Sequence, residues 1–381
     1  MILFFSIFFA LYTAVNYYVF IRGWQALEGF PHFRIFYLII FLILSLSYIL
    51  AKFLVSYIPL FIYNIMLWIG SFWFAFMLYF FISIVLIDFI RLINWQLNFL
   101  PYFIKSNYLL TKHIVALVVF VVSITIVFYG YFNTRNFKVK TLNMKISKGA
   151  SNLDELNAVL VSDIHLSPID NETLLAKIVY KINELKPDII FIAGDLVDDK
   201  ASELRGNNIG PSLLKLKSKY GVYASTGNHE FITGIKESEE YIKNHQIHLL
   251  RDSLVNIDNA FIVAARDDRS KRRFTGEERL PLEKIIKESD KNYPIILMDH
   301  TPLGLDEAEK YGVALQLSGH VHNGQMFPLN FITNMVYEKG WGYLKKGNTQ
   351  YYVSCGAGTW GPPVRTGSNS EIIHLKIKFI E

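Results

Sequence analysis

The sequence predicts two structural parts, a group of membrane-spanning α-helices followed by an α/β domain. Residues 1–132 contain only six basic and two acidic residues, although the whole 381-residue chain is 52% hydrophobic and 15% aromatic. That apolar content exceeds what soluble enzymes usually carry and places the first part in lipid. From about residue 157, short β-branched runs alternate with charged helical stretches, which is the pattern of an α/β domain. We therefore expect a transmembrane region at 1–132, a linker and first strand at 133–156, and the α/β domain at 157–381.

Four apolar stretches have the length of about 20 residues that a spanning helix needs. They run from Ile2 to Phe20, Ile35 to Val55, Phe61 to Ile90 and Ile114 to Phe132. The first lacks the basic start and the cleavage site of a signal peptide, so it is interpreted as a retained anchor. The segment from Arg91 to Lys112 mixes aromatic residues with Lys105 and Asn107, which favours an interfacial helix over a fifth span.

The charges of the apolar region argue against transport, because a transporter places ionisable groups in mid-membrane. Asp88 and Lys52 lie near span ends and are interpreted as interfacial anchors, with a buried functional charge at Asp88 as the alternative. With four spans, the loops on one side of the membrane carry five basic residues, and the segments on the other side, which include the start of the α/β domain, carry four. The side with more basic residues is expected to be cytoplasmic, which slightly favours an extracytoplasmic α/β domain. The two sets are Arg22, Arg34, Arg91, Lys105 and Lys112 against Lys52, Arg135, Lys138 and Lys140.

The rest of the chain is nearly neutral, with 32 basic and 31 acidic residues. The net charge of the whole chain is +5. A nucleic-acid partner would need a concentrated basic face, so none is expected. The single cysteine, Cys355, excludes an intrachain disulfide and is interpreted as a small packing residue.

Eight apolar runs of the second part are predicted strands, and most of them end in polar residues. They are Ala158 to Val161, Ile189 to Ala193, Val222 to Ser225, Phe261 to Ala264, Ile295 to Met298, Ala314 to Leu317, Tyr351 to Ser354 and Ile372 to Ile377. Open α/β sheets bind ligands beyond the carboxyl ends of their strands. The chemistry is therefore expected in the polar clusters at these ends.

Five such clusters contain carboxylates, imidazoles and one amide oxygen, a donor set that suits Mn, Fe or Zn. Two ions with four ligands each and one shared carboxylate need seven residues. The clusters supply Asp163, His165, Asp195, Asn228, His300, His320 and His322. The count favours a pair of divalent ions bridged by one carboxylate.

Each residue also has a simpler interpretation. A single histidine of this set is more often a hydrogen-bonded loop residue than a ligand, Asp198 can cap a helix, and Glu230 can be a solvated charge at a helix start. The glycines that precede the clusters can serve turns alone. Five clusters in series, each after an apolar strand, nevertheless favour a metal centre.

The ordered motifs resemble those of the calcineurin-like metallophosphoesterase superfamily over about residues 157–380. The motifs are Asp163-x-His165, Gly194-Asp195-x-x-Asp198, Gly227-Asn228-His229-Glu230, His300 and Gly319-His320-x-His322. The run from Gly319 to Gln325, with Gly356-Ala357-Gly358 and Gly361 to Arg365, is similar to the bacterial membrane-associated branch. That branch includes phosphodiesterases and a lipid A precursor pyrophosphatase. Asn323 stands where the branch commonly has Gly.

The resemblance implies a four-layer α-β-β-α sandwich with two mixed sheets. It assigns one ion to Asp163, His165, Asp195 and His322, and the other to Asp195, Asn228, His300 and His320. It also implies hydrolysis by a hydroxide that bridges the ions. His229 is then the general acid for the leaving group and Asp198 orients it.

Three questions stay open on the sequence alone. The substrate is expected to be a phosphodiester, with a lipid phosphate or lipid pyrophosphate cleaved at the bilayer surface as the alternative. From another functional class, the domain can be an inactive metal-binding scaffold or sensor. The basic segment from Arg266 to Arg273 can bind an anionic phosphate or lipid, or it can be a solvated surface loop.

Overall fold

The computed structural model describes residues 2–287, 289–290 and 292–381, and for residues 2–5 it describes the backbone only. The chain forms two compact units, Met1–Gly130 and Tyr131–Glu381. The boundary between them lies in the last turns of a long apolar helix, Tyr108–Thr134. The last turn of this helix is therefore part of the second unit.

The first unit is helical. Its elements are α1 (Ile2–Ala26), α2 (Pro31–Leu54), α3 (Leu60–Leu97), α4 (Tyr102–Ser106) and α5 (Tyr108–Thr134). Proline marks three of the helix starts, because its missing N–H has no partner in the first turn of a helix in any case. Pro31 is the first residue of α2, and Pro59 and Pro101 directly precede α3 and α4.

Three helices of the described residues, α2, α3 and α5, are long and apolar enough to cross a membrane, with mean hydropathies of 2.3, 2.3 and 2.5. α1 is also helical, but the side chains at its start lie outside the described residues. The span predicted from Ile2 to Phe20, and with it the count of four, stays a prediction. The predicted interfacial segment contains the short helix α4 between the end of α3 and the start of α5.

The polar groups of the first unit bind one another. Asp88 pairs with Arg22 of α1 and, at 3.1 Å, with Arg91 of its own helix. Asn16, buried in α1, accepts a hydrogen bond of 2.8 Å from the indole N–H of Trp73 in α3. Such contacts replace the water that these groups lack in an apolar environment and join α1 to α3.

The second unit contains twelve strands in the described residues. They are β1 (Lys138–Ser147), β2 (Glu155–Val161), β3 (Ile189–Ala193), β4 (Val222–Ser225), β5 (His248–Leu249), β6 (Ser253–Ile257), β7 (Phe261–Ala265), β8 (Ile295–Met298), β9 (Leu315–Ser318), β10 (Gly342–Lys346), β11 (Thr349–Val353) and β12 (Glu371–Ile380). All eight predicted strands are present. The short strand β5 and the partly exposed strands β6 and β10 were not predicted, because they lack a continuous apolar run.

The helices of the second unit are mostly short. They are α6 (Glu172–Glu184), α7 (Ala201–Gly206), α8 (Asn228–Ile232), α9 (Ile235–Asn244), α10 (Lys271–Thr275), α11 (Leu282–Ile286), α12 (Asp306–Lys310) and α13 (Leu329–Val336), with 3₁₀ turns at Pro211–Lys215 and His322–Gly324. The longest, α6, begins where the side chain of Asn171 accepts hydrogen bonds from the N–H groups of Thr173 and Leu174. This cap satisfies donors that the first turn leaves free.

Two mixed six-stranded sheets pack face to face. Their strand orders are β1-β12-β2-β3-β4-β5 and β10-β11-β9-β8-β7-β6. β12 runs antiparallel to β2, and β6 and β10 run antiparallel to their neighbours, whereas the other pairs are parallel. Buried side chains such as Phe191, Phe261 and Tyr352 fill the space between the sheets.

Helices cover the outer face of each sheet. Ile178 of α6 and Tyr241 of α9 pack on the first sheet, and Ile285 of α11 and Ala308 of α12 pack on the second. The predicted four-layer α-β-β-α sandwich with two mixed sheets is therefore confirmed.

Candidate metal centre

The loops that follow β2, β3, β4, β8 and β9 converge on one buried site. They carry all nine residues that the sequence predicts for the chemistry, and the structure brings the nine together. These are Asp163, His165, Asp195, Asp198, Asn228, His229, His300, His320 and His322. Parallel strands place their carboxyl ends at one edge of a sheet, which is why residues far apart in sequence meet here.

A first group of ligand atoms comes from the ends of β2 and β9. His322 Nε2 lies 3.3 Å from Asp163 Oδ1 and 3.1 Å from His165 Nε2. Asp163, His165 and His322 can together hold one metal ion. Burial lowers the pKa of His322 to about 4 despite the nearby Asp163, so the imidazole stays neutral, which is the form that binds metals.

A second group comes from the loops after β3, β4, β8 and β9. His300 Nε2 lies 3.1 Å from Asp195 Oδ2, and His320 Nδ1 lies 2.9 Å from Asn228 Oδ1. Asp195, His300 and His320 can hold a second ion. The side-chain oxygen of Asn228 lies beside this group.

Asp195 lies between the two groups. Its Oδ2 is 3.1 Å from His300 Nε2 and 3.7 Å from His165 Nε2, one histidine of each group. Burial by itself raises the pKa of Asp195, but His300 and His229 outweigh it and hold the pKa well below its ordinary value. The carboxylate is therefore charged and lies close to a histidine of each group.

The donor set of this site fits divalent ions. His300 Nδ1 lies 2.7 Å from the carbonyl oxygen of Ala193, to which it donates, so Nε2 is the ring nitrogen that can bind a metal ion when the ring is neutral. Nε2 is fully buried and makes no aligned hydrogen bond with any residue that the structure describes. Asp163 and Asp195 are buried carboxylates, whose charge needs a compensating cation. We conclude that the site suits two metal ions.

The backbone at the site adopts a conformation that few non-glycine residues take. Five of the seven predicted ligands have positive φ angles between 50° and 73°. They are Asp163, His165, Asp195, His320 and His322. Residues held in this left-handed region cost free energy and cluster at functional sites. Asn323, at φ 48°, takes the same conformation, which asparagine tolerates better than most residues.

His229 and Asp198 form a pair beside the ligand groups. His229 Nδ1 lies 2.6 Å from Asp198 Oδ1, and Asp198 Oδ1 also lies 3.3 Å from His165 Nδ1. Asp198 does not cap a helix, because α7 begins only after Lys200. Burial lowers the pKa of His229, but Asp195 and Asp198 outweigh it and raise the pKa to about 9. His229 also lies close enough to His165 and Asp195 to form a third possible ligand group with them.

Glu230 has a structural role that the sequence analysis did not predict. It is fully buried, so its interpretation as a solvated charge was wrong. Its carboxylate accepts four backbone hydrogen bonds of 2.7 to 3.2 Å, from the N–H groups of Asp195, Leu196, Val197 and Gly227. The side chain thus joins the loop of Asp195 to the loop of Asn228. The three-residue spacing between Gly227 and Glu230 is that of a capping box and was the available signal.

Glu230→Gln is expected to weaken the hydrogen bonds to both loops. The amide oxygen of glutamine can accept from two of the backbone N–H groups, but its NH₂ group would point at the N–H groups of the other two. Two buried donors would lose their partners, at a cost of about 1–3 kcal/mol each. We expect lower stability and lower metal content, measured by thermal unfolding and elemental analysis. Glu240→Gln, at an exposed position of α9, is the matched control. Unchanged metal content in Glu230→Gln would show that the clamp does not position the ligands.

Arg365 is fully buried and contacts the first ligand group through His322. Its Nη2 donates hydrogen bonds of 2.7 Å to the carbonyl oxygens of Cys355 and Gly358 and lies 3.0 Å from His322 Nδ1. The N–H of Gly358 donates in turn to the carbonyl oxygen of Asp163. The arginine therefore holds a loop against two predicted ligands. Cys355 is buried, as expected of a packing residue.

Arg266 and Lys271, in the basic segment from Arg266 to Arg273, are paired with acidic side chains. Arg266 is buried and pairs with Asp299 and Glu307, at 3.4 and 2.7 Å. Lys271 pairs with Asp252 and Asp267. Arg266 and Lys271 are therefore engaged in ion pairs within the domain, and binding of an anionic phosphate or lipid by this segment stays a prediction.

Comparison with known proteins supports this picture. The profile of the family described as calcineurin-like phosphoesterase matches residues 156–324. The chain is 32% identical over 271 residues to a Danio rerio protein named transmembrane protein with metallophosphoesterase domain. The aligned region covers 68% of this chain and 61% of the Danio rerio protein. It is 30% identical over 255 residues to an uncharacterized metallophosphoesterase of Aquifex aeolicus, which covers 66% of this chain and 95% of that one. A Campylobacter jejuni protein of the same description is 30% identical over 277 residues, 72% of each chain.

Proposed function

Because the chain belongs to the calcineurin-like phosphoesterase family, we propose that it is a membrane-anchored hydrolase that cleaves phosphodiester bonds with two divalent metal ions. One observation carries the proposal. Two groups of possible metal ligands lie side by side, and Asp195 of the second group is 3.7 Å from His165 of the first. The apolar helices of the first unit act as the anchor. Four spans and an extracytoplasmic active site remain predictions, which labelling of single-cysteine variants from each side of the membrane would test.

The roles of the ligands follow the two groups. Asp163, His165, Asp195 and His322 hold one ion, and Asp195, Asn228, His300 and His320 hold the other. Bound divalent ions of this kind stabilise charge on a phosphoryl group and lower the pKa of a bound water. Mn, Fe and Zn all suit the mixture of nitrogen and oxygen donors.

His229 is proposed to donate a proton to the departing alkoxide. Its ring lies beside the ligand groups, and Asp198 holds Nδ1 at 2.6 Å. A carboxylate in this position orients the imidazole and favours the protonated ring, which leaves Nε2 to face the substrate as donor. The chain therefore needs no serine or cysteine nucleophile for this reaction.

An inactive scaffold or sensor with the same fold would be expected to have lost ligands. All seven predicted ligands are present in the sequence, and five of them have strained, positive φ angles. Both features favour an active enzyme.

Removal of metal is expected to abolish hydrolysis. The full-length protein is purified in detergent and dialysed against a strong chelator. Its activity on a small nitrophenyl phosphodiester should fall at least about tenfold. Added Mn²⁺, Fe²⁺ or Zn²⁺ should restore it, and elemental analysis should find two ions per active chain. Circular dichroism of the dialysed protein controls for unfolding. Full activity in the metal-free, folded protein would contradict the proposal.

A further inference from the structure

An exposed group of apolar side chains lies on α13 and on two neighbouring loops. We define the apolar patch as Phe327, Phe331, Ile332, Met335, Val336 and Trp360, each between 51% and 78% exposed. Residues 331, 332, 335 and 336 follow helical spacing and share one face of α13. α13 has no buried residue, and no charged residue occurs between Gln325 and Tyr337. Soluble surfaces rarely expose so many large apolar side chains together.

Helix α13 is attached to the metal centre at both ends. At its start, the backbone of Asn330 packs against Gly324, where a Cβ atom would lie 2.3 Å from the Asn330 nitrogen. At its end, the ring of Tyr337 lies 6.3 Å from the ring of His320, centroid to centroid. Gly324 is two residues from His322 in the chain. The helix therefore lies beside two of the predicted ligands.

Trp360 is held to the same segment by Gln325. The backbone N–H of Trp360 donates to Gln325 Oε1 at 2.9 Å, and Gln325 Nε2 donates to the carbonyl oxygens of Trp360 and Pro362. Gln325 itself is buried. The exposed indole therefore lies on a loop that is hydrogen-bonded to the segment of Gln325 and the predicted ligand His322. Its exposure is part of an ordered structure.

The patch and the end of the last apolar helix are bound to one loop, residues 365–370. On one side of this loop, the side chain of Asn133, in the last turn of α5, donates to the carbonyl oxygens of Arg365 and Ser368 at 3.0 and 2.9 Å. On the other side, the N–H of Phe327 donates to Thr366 Oγ1 at 2.9 Å. All these residues belong to the second unit. The segment in which the apolar helix ends and the segment in which the patch begins are therefore close.

We propose that the apolar patch docks on the membrane surface and receives the acyl chain of a lipid phosphoester whose phosphate enters the metal centre. The inference rests on the proposed function and names its substrate class. A lipid occupant is favoured because the last turn of the apolar helix α5 and Phe327 of the patch hydrogen-bond to the same loop. An uncharged amphipathic surface with Phe, Met, Ile and Trp is also suited to the boundary between headgroups and acyl chains.

The docking is tested without reference to catalysis. In the full chain reconstituted in lipid nanodiscs, a fluorophore is attached to Met335→Cys, which is selective because the single native cysteine is buried. Doxyl-labelled lipids should quench it at least about twofold more than a fluorophore on Glu240→Cys, at an exposed position of α9. Equal quenching at the two positions would overturn the docking. Shielding of Met335→Cys that grows with protein concentration in detergent would assign the patch to a second copy.

The substrate class is tested with two esters that differ only in their apolar chain, nitrophenyl methyl phosphate and nitrophenyl hexadecyl phosphate. The double variant Phe331→Ser/Met335→Ser should lose at least about tenfold in kcat/KM on the hexadecyl ester and less than about twofold on the methyl ester. Equal losses on both esters would contradict a role in lipid recognition. Quenching by doxyl lipids without hydrolysis of either ester would support the docking and contradict the proposed function.

Discussion

Asp195→Asn is expected to lose metal and activity together. The Asp195 carboxylate lies close to a histidine of each ligand group, 3.1 Å from His300 Nε2 and 3.7 Å from His165 Nε2. An amide of the same shape keeps the hydrogen-bond acceptor but removes the negative charge that two divalent ions need. We expect the activity on a nitrophenyl phosphodiester to fall by at least about a hundredfold, since even the loss of an outer-shell partner costs 10–100-fold.

Asp258→Asn is a matched control for this variant. Asp258 is exposed, and its φ of 48° is close to the 51° of Asp195, so both substitutions place asparagine in the same left-handed conformation. Any effect of the backbone conformation is therefore shared by the two variants. An Asp195→Asn protein that binds two ions per chain with wild-type activity would contradict the bridging role.

His229→Ala is expected to keep both metal ions and to slow hydrolysis by about 10²–10⁴ on alkyl esters, the usual cost of a lost general acid. The loss should be much smaller on nitrophenyl esters, because nitrophenolate leaves without a proton whereas an alkoxide needs one. Asp198→Asn should show the same dependence on the leaving group with a smaller loss, since Asp198 acts through the His229 ring at 2.6 Å. Rates with both ester classes and the metal content of each protein provide the measurement.

Metal analysis is the decisive part of this test, because His229 also lies close to His165 and Asp195 in a possible ligand group. His248→Ala, at an exposed position of β5, is the control for the loss of an imidazole. A His229→Ala protein that loses metal would identify His229 as a ligand. Equal slowing of both ester classes would identify it as a group that positions the phosphate.

The sequence by itself determined the order of the parts and the composition of the site. Strands β3, β4 and β8 have the predicted bounds, because strands buried on both faces are continuous apolar runs that end where polar loops begin. The polar residues directly after them are the ones that the structure gathers at the candidate centre. The half-exposed strands β6 and β10 were not predicted, because their pairing depends on neighbours that the local pattern does not reveal.

Only the tertiary structure decided which groups face one another. The burial of Glu230 and its four hydrogen bonds require two loops to meet, and nothing in the short run from Gly227 to Glu230 predicts the second loop. The position of Asp195 between the two histidine groups depends in the same way on the packing of several strands. Local sequence sets conformational preference and chemical type, whereas distances between residues far apart in the chain are set by the packing of the two sheets and by loop closure. The sequence therefore predicted which side chains meet at the candidate centre, and the fold decided which pairs of them are within reach.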